Sequence, residues 1–176
     1  MENFFRLTKG FNPAPLLVAI SRQPELWDQN TLRTKHEKTA HSQVSDIWLM
    51  FNELGDGVAN DIIVKPYPAF KELPQARPII FDLMRLVEGV TLGRVIITRL
   101  PPGKKISPHV DGGAPATYFS RYQVALQSLP GALFTIGDET VNFESGEVWL
   151  IDNKKEHSVT NNSRDDRIVM IVDIRS

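Results

Sequence analysis

From residue 94 to its end, the chain is a succession of short apolar runs cut at close intervals by glycine, proline and asparagine. That rhythm restricts it to an architecture of many short strands. Residues 94–100 read as the first strand. Residues 118–126 alternate, with Tyr122, Val124 and Leu126 on one face. Residues 132–136 follow a Pro-Gly turn, and Gly137-Asp138 makes a hairpin into 140–143. Ser145-Gly146 turns into 147–151, and Asn161-Asn162-Ser163 turns into 167–173. Strands this short must stack face to face or close on themselves to bury their apolar sides. The expected fold is therefore mainly β, a double-sheet jelly roll of the cupin-like kind, which holds small ligands between its sheets.

The first half has a different texture. Residues 13–21 predict a short helix with proline near its start, and residues 24–28 a single helical turn. Residues 46–51 are a compact β-preferring run, and 54–58 a loop. Apolar residues at 79, 80, 83, 84, 86 and 87 have helical spacing, so 79–88 is expected as a helix ended by Gly89. At 176 residues the chain fits one domain. Residues 1–92 are expected to supply flanking helices and a substrate region, and residues 93–176 the jelly-roll core.

Composition narrows the chemistry. The chain has no cysteine, which removes disulfides, zinc-thiolate sites and a thiol nucleophile and leaves histidine and carboxylate for any metal. A net charge of −1 gives no global attraction for nucleic acid or an anionic membrane. No apolar run approaches the roughly 20 residues of a membrane span. The residues from Met1 to Arg6, and the short apolar run from Pro15 to Ile20, lack the basic leader and cleavage site of a signal peptide. A soluble, cytoplasmic protein is the expectation.

The chemically informative segment runs from Pro101 to Gly113. His109 and Asp111 are two residues apart, and in an extended segment such side chains share a face. His157, after a strand and a polar turn, is the expected third ligand. Two histidines and one carboxylate on one side of a metal leave three positions open, the facial arrangement of non-heme iron(II) oxygenases. Ten residues beyond His157, Arg167 heads an apolar strand, where a guanidinium needs an anion: either Asp165 or Asp166, or a ligand carboxylate gripped by its planar fork. Thr98 is expected to assist Arg167, and Arg121 to be either a surface residue or a partner of a carboxylate at the metal. Singly, each of these residues has an ordinary reading as a surface or loop residue; together they favour a metal site.

The stretch 97–175 resembles the aspartyl/asparaginyl β-hydroxylase branch of the Fe(II)/2-oxoglutarate-dependent oxygenases. The matching motifs are Leu-Pro-Pro-Gly-Lys-Lys-Ile-Ser-Pro-His-Val-Asp-Gly-Gly (100–113), Arg-Tyr-Gln-Val-Ala-Leu (121–126), Ser-Gly-Glu-Val-Trp-Leu-Ile-Asp (145–152), Glu156-His157 and the run 161–173. The resemblance implies a double-stranded β-helix with His109, Asp111 and His157 holding Fe(II). It implies Arg167 and Thr98 at the distal carboxylate of 2-oxoglutarate and Arg121 near the proximal one. Gln123 stands where the branch usually has histidine; it can donate a hydrogen bond but carries no charge. Dioxygen would be the oxidant, with succinate and carbon dioxide released as a substrate is hydroxylated. Asn153 or Asn161 is expected to fix the histidine tautomers.

Substrate choice is expected to reside in residues 1–92. Arg33, His41 and Trp48 are the substrate-contact candidates, in or beside a polar stretch that also contains His36. An amino-acid side chain in a protein, peptide or free amino acid is favoured, and a modified base is also open. The rival reading is a cupin-like metal-binding isomerase or small-molecule binder that needs no 2-oxoglutarate. Arg167 separates the two, because a site without a dicarboxylate has no use for a deep cation.

Overall fold

Strand alternation divides the interior into two cores. The computed structural model describes residues 1–176. Seven strands form a major sheet in the order β1 (Phe4–Lys9), β9 (Glu147–Ile151), β6 (Ser120–Gln127), β11 (Arg167–Arg175), β4 (Thr91–Leu100), β2 (Ser45–Phe51) and β3 (Lys65–Pro66). Four more form a minor sheet, β5 (Lys105–His109), β10 (His157–Asn161), β7 (Ala132–Ile136) and β8 (Glu139–Asn142). Every pairing is antiparallel.

On β6, Tyr122, Val124 and Leu126 point to the outer face, as the alternation predicts. There they join Met170 and Val172 of β11 and Val95 and Ile97 of β4 in a core capped by two helices, α1 (Ala14–Ser21) and α4 (Ala76–Leu86); the short helices α2 (Leu32–Lys35) and α3 (Pro68–Glu72) lie between them in the chain. The opposite face of the same strands looks toward the minor sheet. Leu100, Ala125, Trp149 and Ile151 meet Ile106, Phe134, Ile136 and Val159 in a second core between the sheets. Polar residues of the inner face, Thr98, Arg121, Gln123 and Arg167, therefore line the space between two sheets.

The sequence expectations hold for 13–21, 46–51, 132–136, 147–151 and the long strand at 167. Helix α4 buries Ile79, Ile80 and Leu83 as its spacing requires, but stops at Leu86, and Glu88 takes a left-handed φ of 53°. Tyr118 is the last residue of a short helix, α5 (Gly113–Tyr118), rather than the start of a strand, because Pro115 favours a first helical turn. The expected division at residue 92 is not a structural boundary, since β1, β2 and β3 all pair within the major sheet. Phe4 reaches the inner core edge-on to Phe134, Phe143 and Trp149. Gly146, at φ +86°, turns where a Cβ would lie 2.7 Å from the Phe11 carbonyl oxygen. No helix is long and apolar enough to cross a membrane.

Leu83, fully buried, and Phe81, exposed on the same helix, test the docking of α4 on the outer face. Leu83→Ala is expected to lower unfolding stability by about 2–5 kcal/mol in urea denaturation, and Phe81→Ala by under about 1 kcal/mol. Equal losses would place the helix in another register.

Candidate metal and co-substrate site

Three strands and one turn assemble the site. His157 opens β10 between two neighbours, pairing with His109 at the end of β5 on one side and Ile136 of β7 on the other. Asp111 follows β5 by two residues, and its backbone N–H donates to the Asn153 carbonyl in the turn before β10 (3.2 Å). One ligand atom from each of His109, Asp111 and His157 lies within 4.8 Å of the others.

The donor atoms are prepared for a cation. Nδ1 of His109 donates to the Ser107 carbonyl and Nδ1 of His157 to the Lys155 carbonyl, each at 2.8 Å. Both rings thereby keep Nε2 as the lone-pair nitrogen. These Nε2 atoms lie 3.5 and 3.9 Å from the same Asp111 oxygen, Oδ1. Two ligands each about 2.1 Å from one ion are at most about 4.2 Å apart, so both separations fit a shared metal. The other carboxylate oxygen, Oδ2, is occupied by the Arg121 guanidinium (2.5 Å) and the Asn153 side-chain amide (2.9 Å). Asp111 thus offers one free oxygen. Burial alone would raise its pKa, but the Arg121 charge, with the hydrogen bond from the Asn153 amide, outweighs that and holds the carboxyl well below the usual range. Burial lowers the pKa of His157, favouring the neutral ring a metal requires. Asn153 therefore serves the carboxylate rather than a histidine tautomer. Asn161 bonds the Leu100 and Asp165 carbonyls and closes the turn before β11.

Arg121 gives three of its five N–H donors to protein carboxylates and still lines the cavity. Beyond Asp111, it holds Asp173 through two hydrogen bonds of 2.8 Å. Burial opposes its charge, yet Asp173 and Asp111 together raise its pKa. Asp173 and its part in the site were missed. The available signal was its position on β11 in the same alternation as Arg167, an acid on the inner side of an apolar strand.

Arg167 is the opposite case. It is 2% exposed, and its Nε and Nη2 have no hydrogen-bond partner. Neither Asp165 nor Asp166 pairs with it; Asp166 lies beside Arg99 instead. Its guanidinium sits beside the stacked rings of Phe134 and Phe143, 5.7 and 5.8 Å from their centroids, and burial lowers its pKa to about 10. The cavity it faces also receives His109, Asp111, His157 and Thr98. An unneutralised buried cation in a metal-ligand cavity fits a co-substrate with one carboxylate remote from its chelating end. The donor set and this orphaned guanidinium fit Fe(II), 2-oxoglutarate and dioxygen.

Thr98, on β4, lies on the inner face diagonal to Arg167, and its Oγ1 accepts from Arg33 Nη2 at 3.4 Å. Gln123 lines the same cavity with Oε1 buried and unpartnered. Arg33 also lines it, bidentate to the buried Asp46 (2.8 and 2.9 Å). His41 stands edge-on to His109, ring centroids 4.6 Å apart, and burial, with Arg33 nearby, lowers its pKa to about 2. Trp48 does not reach the cavity. It is buried against Phe51, stacked at 3.8 Å, and Tyr67, because β2 spends that inward position on a small aromatic cluster. His36 is exposed and bonds only the neighbouring Glu37 carbonyl.

The fold is shared with solved oxygenases at low identity. A prolyl hydroxylase from Trichoplax adhaerens, solved with a hypoxia inducible factor peptide fragment, aligns at 11% identity and TM-score 0.58 over 98% of this chain and 83% of its own. A Pseudomonas putida prolyl-4-hydroxylase aligns at 12% identity and TM-score 0.55, covering 98% and 92%. A 2OG-Fe(II) oxygenase family protein from Burkholderia pseudomallei gives 12% identity and TM-score 0.55 over 74% of this chain, which spans only 65% of that protein. No curated protein sequence matches the chain. The model of the aspartyl/asparaginyl beta-hydroxylase family matches residues 19–176. With that match over most of its length, the chain belongs to the aspartyl/asparaginyl β-hydroxylase family.

Proposed function

We propose that the protein is an Fe(II)- and 2-oxoglutarate-dependent dioxygenase that hydroxylates an amino-acid side chain in a protein, peptide or free amino acid. The observation that carries this reading is Arg167: a buried guanidinium without an anion, in the same cavity as two histidines and a carboxylate with their lone pairs turned inward. A cupin-like isomerase or binder would use the metal ligands but leave that cation uncompensated.

His109, Asp111 and His157 would hold iron(II), which would supply the redox chemistry that couples oxidation of 2-oxoglutarate to succinate and carbon dioxide with hydroxylation of a substrate C–H bond, one atom of dioxygen going to each product. The protein's own contribution is positioning and electrostatics. The Ser107 and Lys155 carbonyls hold both imidazoles as Nε2 donors. Arg121 and Asn153 occupy Asp111 Oδ2, so the carboxylate would meet a metal through Oδ1 alone. Arg167 receives the distal carboxylate of 2-oxoglutarate with the Thr98 hydroxyl beside it, and Gln123, which lines the same cavity, contributes a neutral polar group there. Ile106, Phe134 and Val159 exclude water and strengthen the guanidinium–carboxylate attraction by lowering the local dielectric. Trp48 has no role in this reading.

Anaerobic addition of Fe(II) and 2-oxoglutarate is expected to give a visible charge-transfer band that neither gives alone; a flat spectrum would count against the oxygenase. Arg167→Ala is expected to weaken 2-oxoglutarate binding by about 2–5 kcal/mol in a calorimetric titration. Unchanged affinity would remove Arg167 from the site. Asn153→Ala, which frees Asp111 Oδ2 of one donor, is expected to weaken Mn(II) binding about tenfold to a hundredfold, read by electron paramagnetic resonance. Metal affinity equal to wild type would mean that Arg121 alone orients the carboxylate.

A further inference from the structure

Strand β4 carries Arg94, Ile96 and Thr98 in alternation on its inner face, so the strand runs from the co-substrate cavity into a second chamber. That chamber has a volume of about 220 Å³ and shares Arg33, His41, His109, Asp111, Arg121 and Ile171 with the first, so it opens on the other side of the same metal ligands. Beside Arg94 and Gly112, its remaining walls are aliphatic: Ile96, Val110, Pro115 and Ala116. On one side it is bounded by α5, whose Gly113 lies so close to the 58–60 turn that a Cβ there would meet the Ala59 carbonyl oxygen at 1.8 Å. The volume falls below the several hundred Å³ of a drug-sized pocket and fits a molecule of amino-acid size.

Charge singles out one residue in this chamber. Arg33 is neutralised by Asp46, and Arg121 by Asp111 and Asp173. In the proposed reading, Arg167 is neutralised by the distal carboxylate of 2-oxoglutarate. Four guanidiniums and a divalent iron then stand against three carboxylates and a dianion, which leaves one positive charge. It resides at Arg94. Its protein acceptors are both neutral, Asn52 Oδ1 at 2.6 Å and the Val58 carbonyl at 3.2 Å. Its plane is fixed over the Phe51 ring, 4.4 Å from the centroid, and its Nη1 makes no hydrogen bond to the protein. Burial lowers its pKa to about 10, with Arg121 adding to the effect, and Asp173 and Asp111, both paired with Arg121, offset it only in part.

We propose that Arg94 binds the carboxylate of the substrate, and that the substrate is a small carboxylic acid with an aliphatic body, held with its carbon chain against Ile96, Ile171 and Pro115 beside the metal. This rests on the oxygenase reading for the chemistry but on Arg94 for the recognition. The carboxylate can come from a free amino acid or from an acid without an amino group.

Calorimetric titration of the full chain loaded with Mn(II) and 2-oxoglutarate, which does not turn over, separates these sources. The probes are L-valine, L-leucine and L-proline, each beside its α-carboxamide and its deaminated acid. At least one acid is expected to bind about tenfold or more tighter than its amide, the worth of a hydrogen bond to a charged group. Arg94→Gln is expected to reduce the acid to the affinity of the amide, and Arg94→Lys to restore part of the difference. Acid binding with and without the amino group identifies which source the chamber takes. The proposal is overturned if acid and amide bind equally, if Arg94→Gln keeps the preference, or if no acid binds while an aspartate-containing peptide does. The acid-to-amide ratio in the wild type is read whether or not the variants fold. If Mn(II) and 2-oxoglutarate themselves fail to bind, the oxygenase reading is lost, and the same titration on metal-free protein decides Arg94 on its own.

Discussion

The Arg121 guanidinium, closed between Asp111 and Asp173, is the interaction on which the site depends. It joins three pieces of chain: Asp111 beyond β5, Arg121 near the start of β6 and Asp173 near the end of β11. A carboxylate buried this deeply would ordinarily take up a proton, and a protonated acid is a poor ligand for a divalent metal. Arg121 keeps Asp111 ionised and uses only one of its oxygens. Asp173 in turn supplies the second negative charge that makes a buried guanidinium tolerable. The assembly is therefore an ion triad whose free valence is a single oxygen lone pair, aimed at the space between two imidazoles.

The sheet makes that arrangement possible by keeping its two faces chemically separate. Along β11, residues 168, 170, 172 and 174 enter the outer aliphatic core, while Arg167, Ile171 and Asp173 face inward. A slip of one residue would exchange the faces and drive both charged groups into the outer core. Pairing with β4 on one side and β6 on the other fixes the register over nearly the full strand. The two aromatic rings around Arg167 give partial compensation through their π faces. They do not replace an anion, and the apolar wall makes the site select for one.

Much of this was legible in the sequence because both periodicities and ligand spacing are local. The two-residue step from His109 to Asp111, the alternation at Tyr122, Val124 and Leu126, and the cost of a guanidinium at the head of an apolar strand each need only a short window. What escaped depended on pairing between distant segments. Phe4–Lys9 is too mixed in character to announce a strand and becomes one by pairing with β9. Asn153 was read as a histidine partner because it precedes His157, whereas the fold turns its amide onto Asp111. Trp48 was placed near substrate because it is aromatic and next to a polar stretch. It shares the inner face with Asp46, but two residues along the strand is enough to carry it into the cluster of Phe51 and Tyr67.

That spacing along β4 and β2 also separates two adjoining cavities, which the proposed reading assigns to co-substrate and substrate. Thr98 and Asp46 face each other across the β2–β4 ladder, and Arg33 bonds both side chains, standing at the boundary of the two cavities with its charge neutralised. Four residues earlier on β4, roughly 13 Å at the strand rise, Arg94 faces the second chamber. The Arg167 end of the site is built from long strands deep between the sheets. The Arg94 end is built from α5, the 58–60 turn and one guanidinium. Changes in those short segments can alter what enters without disturbing the ion triad, because no hydrogen bond of Asp111, Arg121 or Asp173 is made to them.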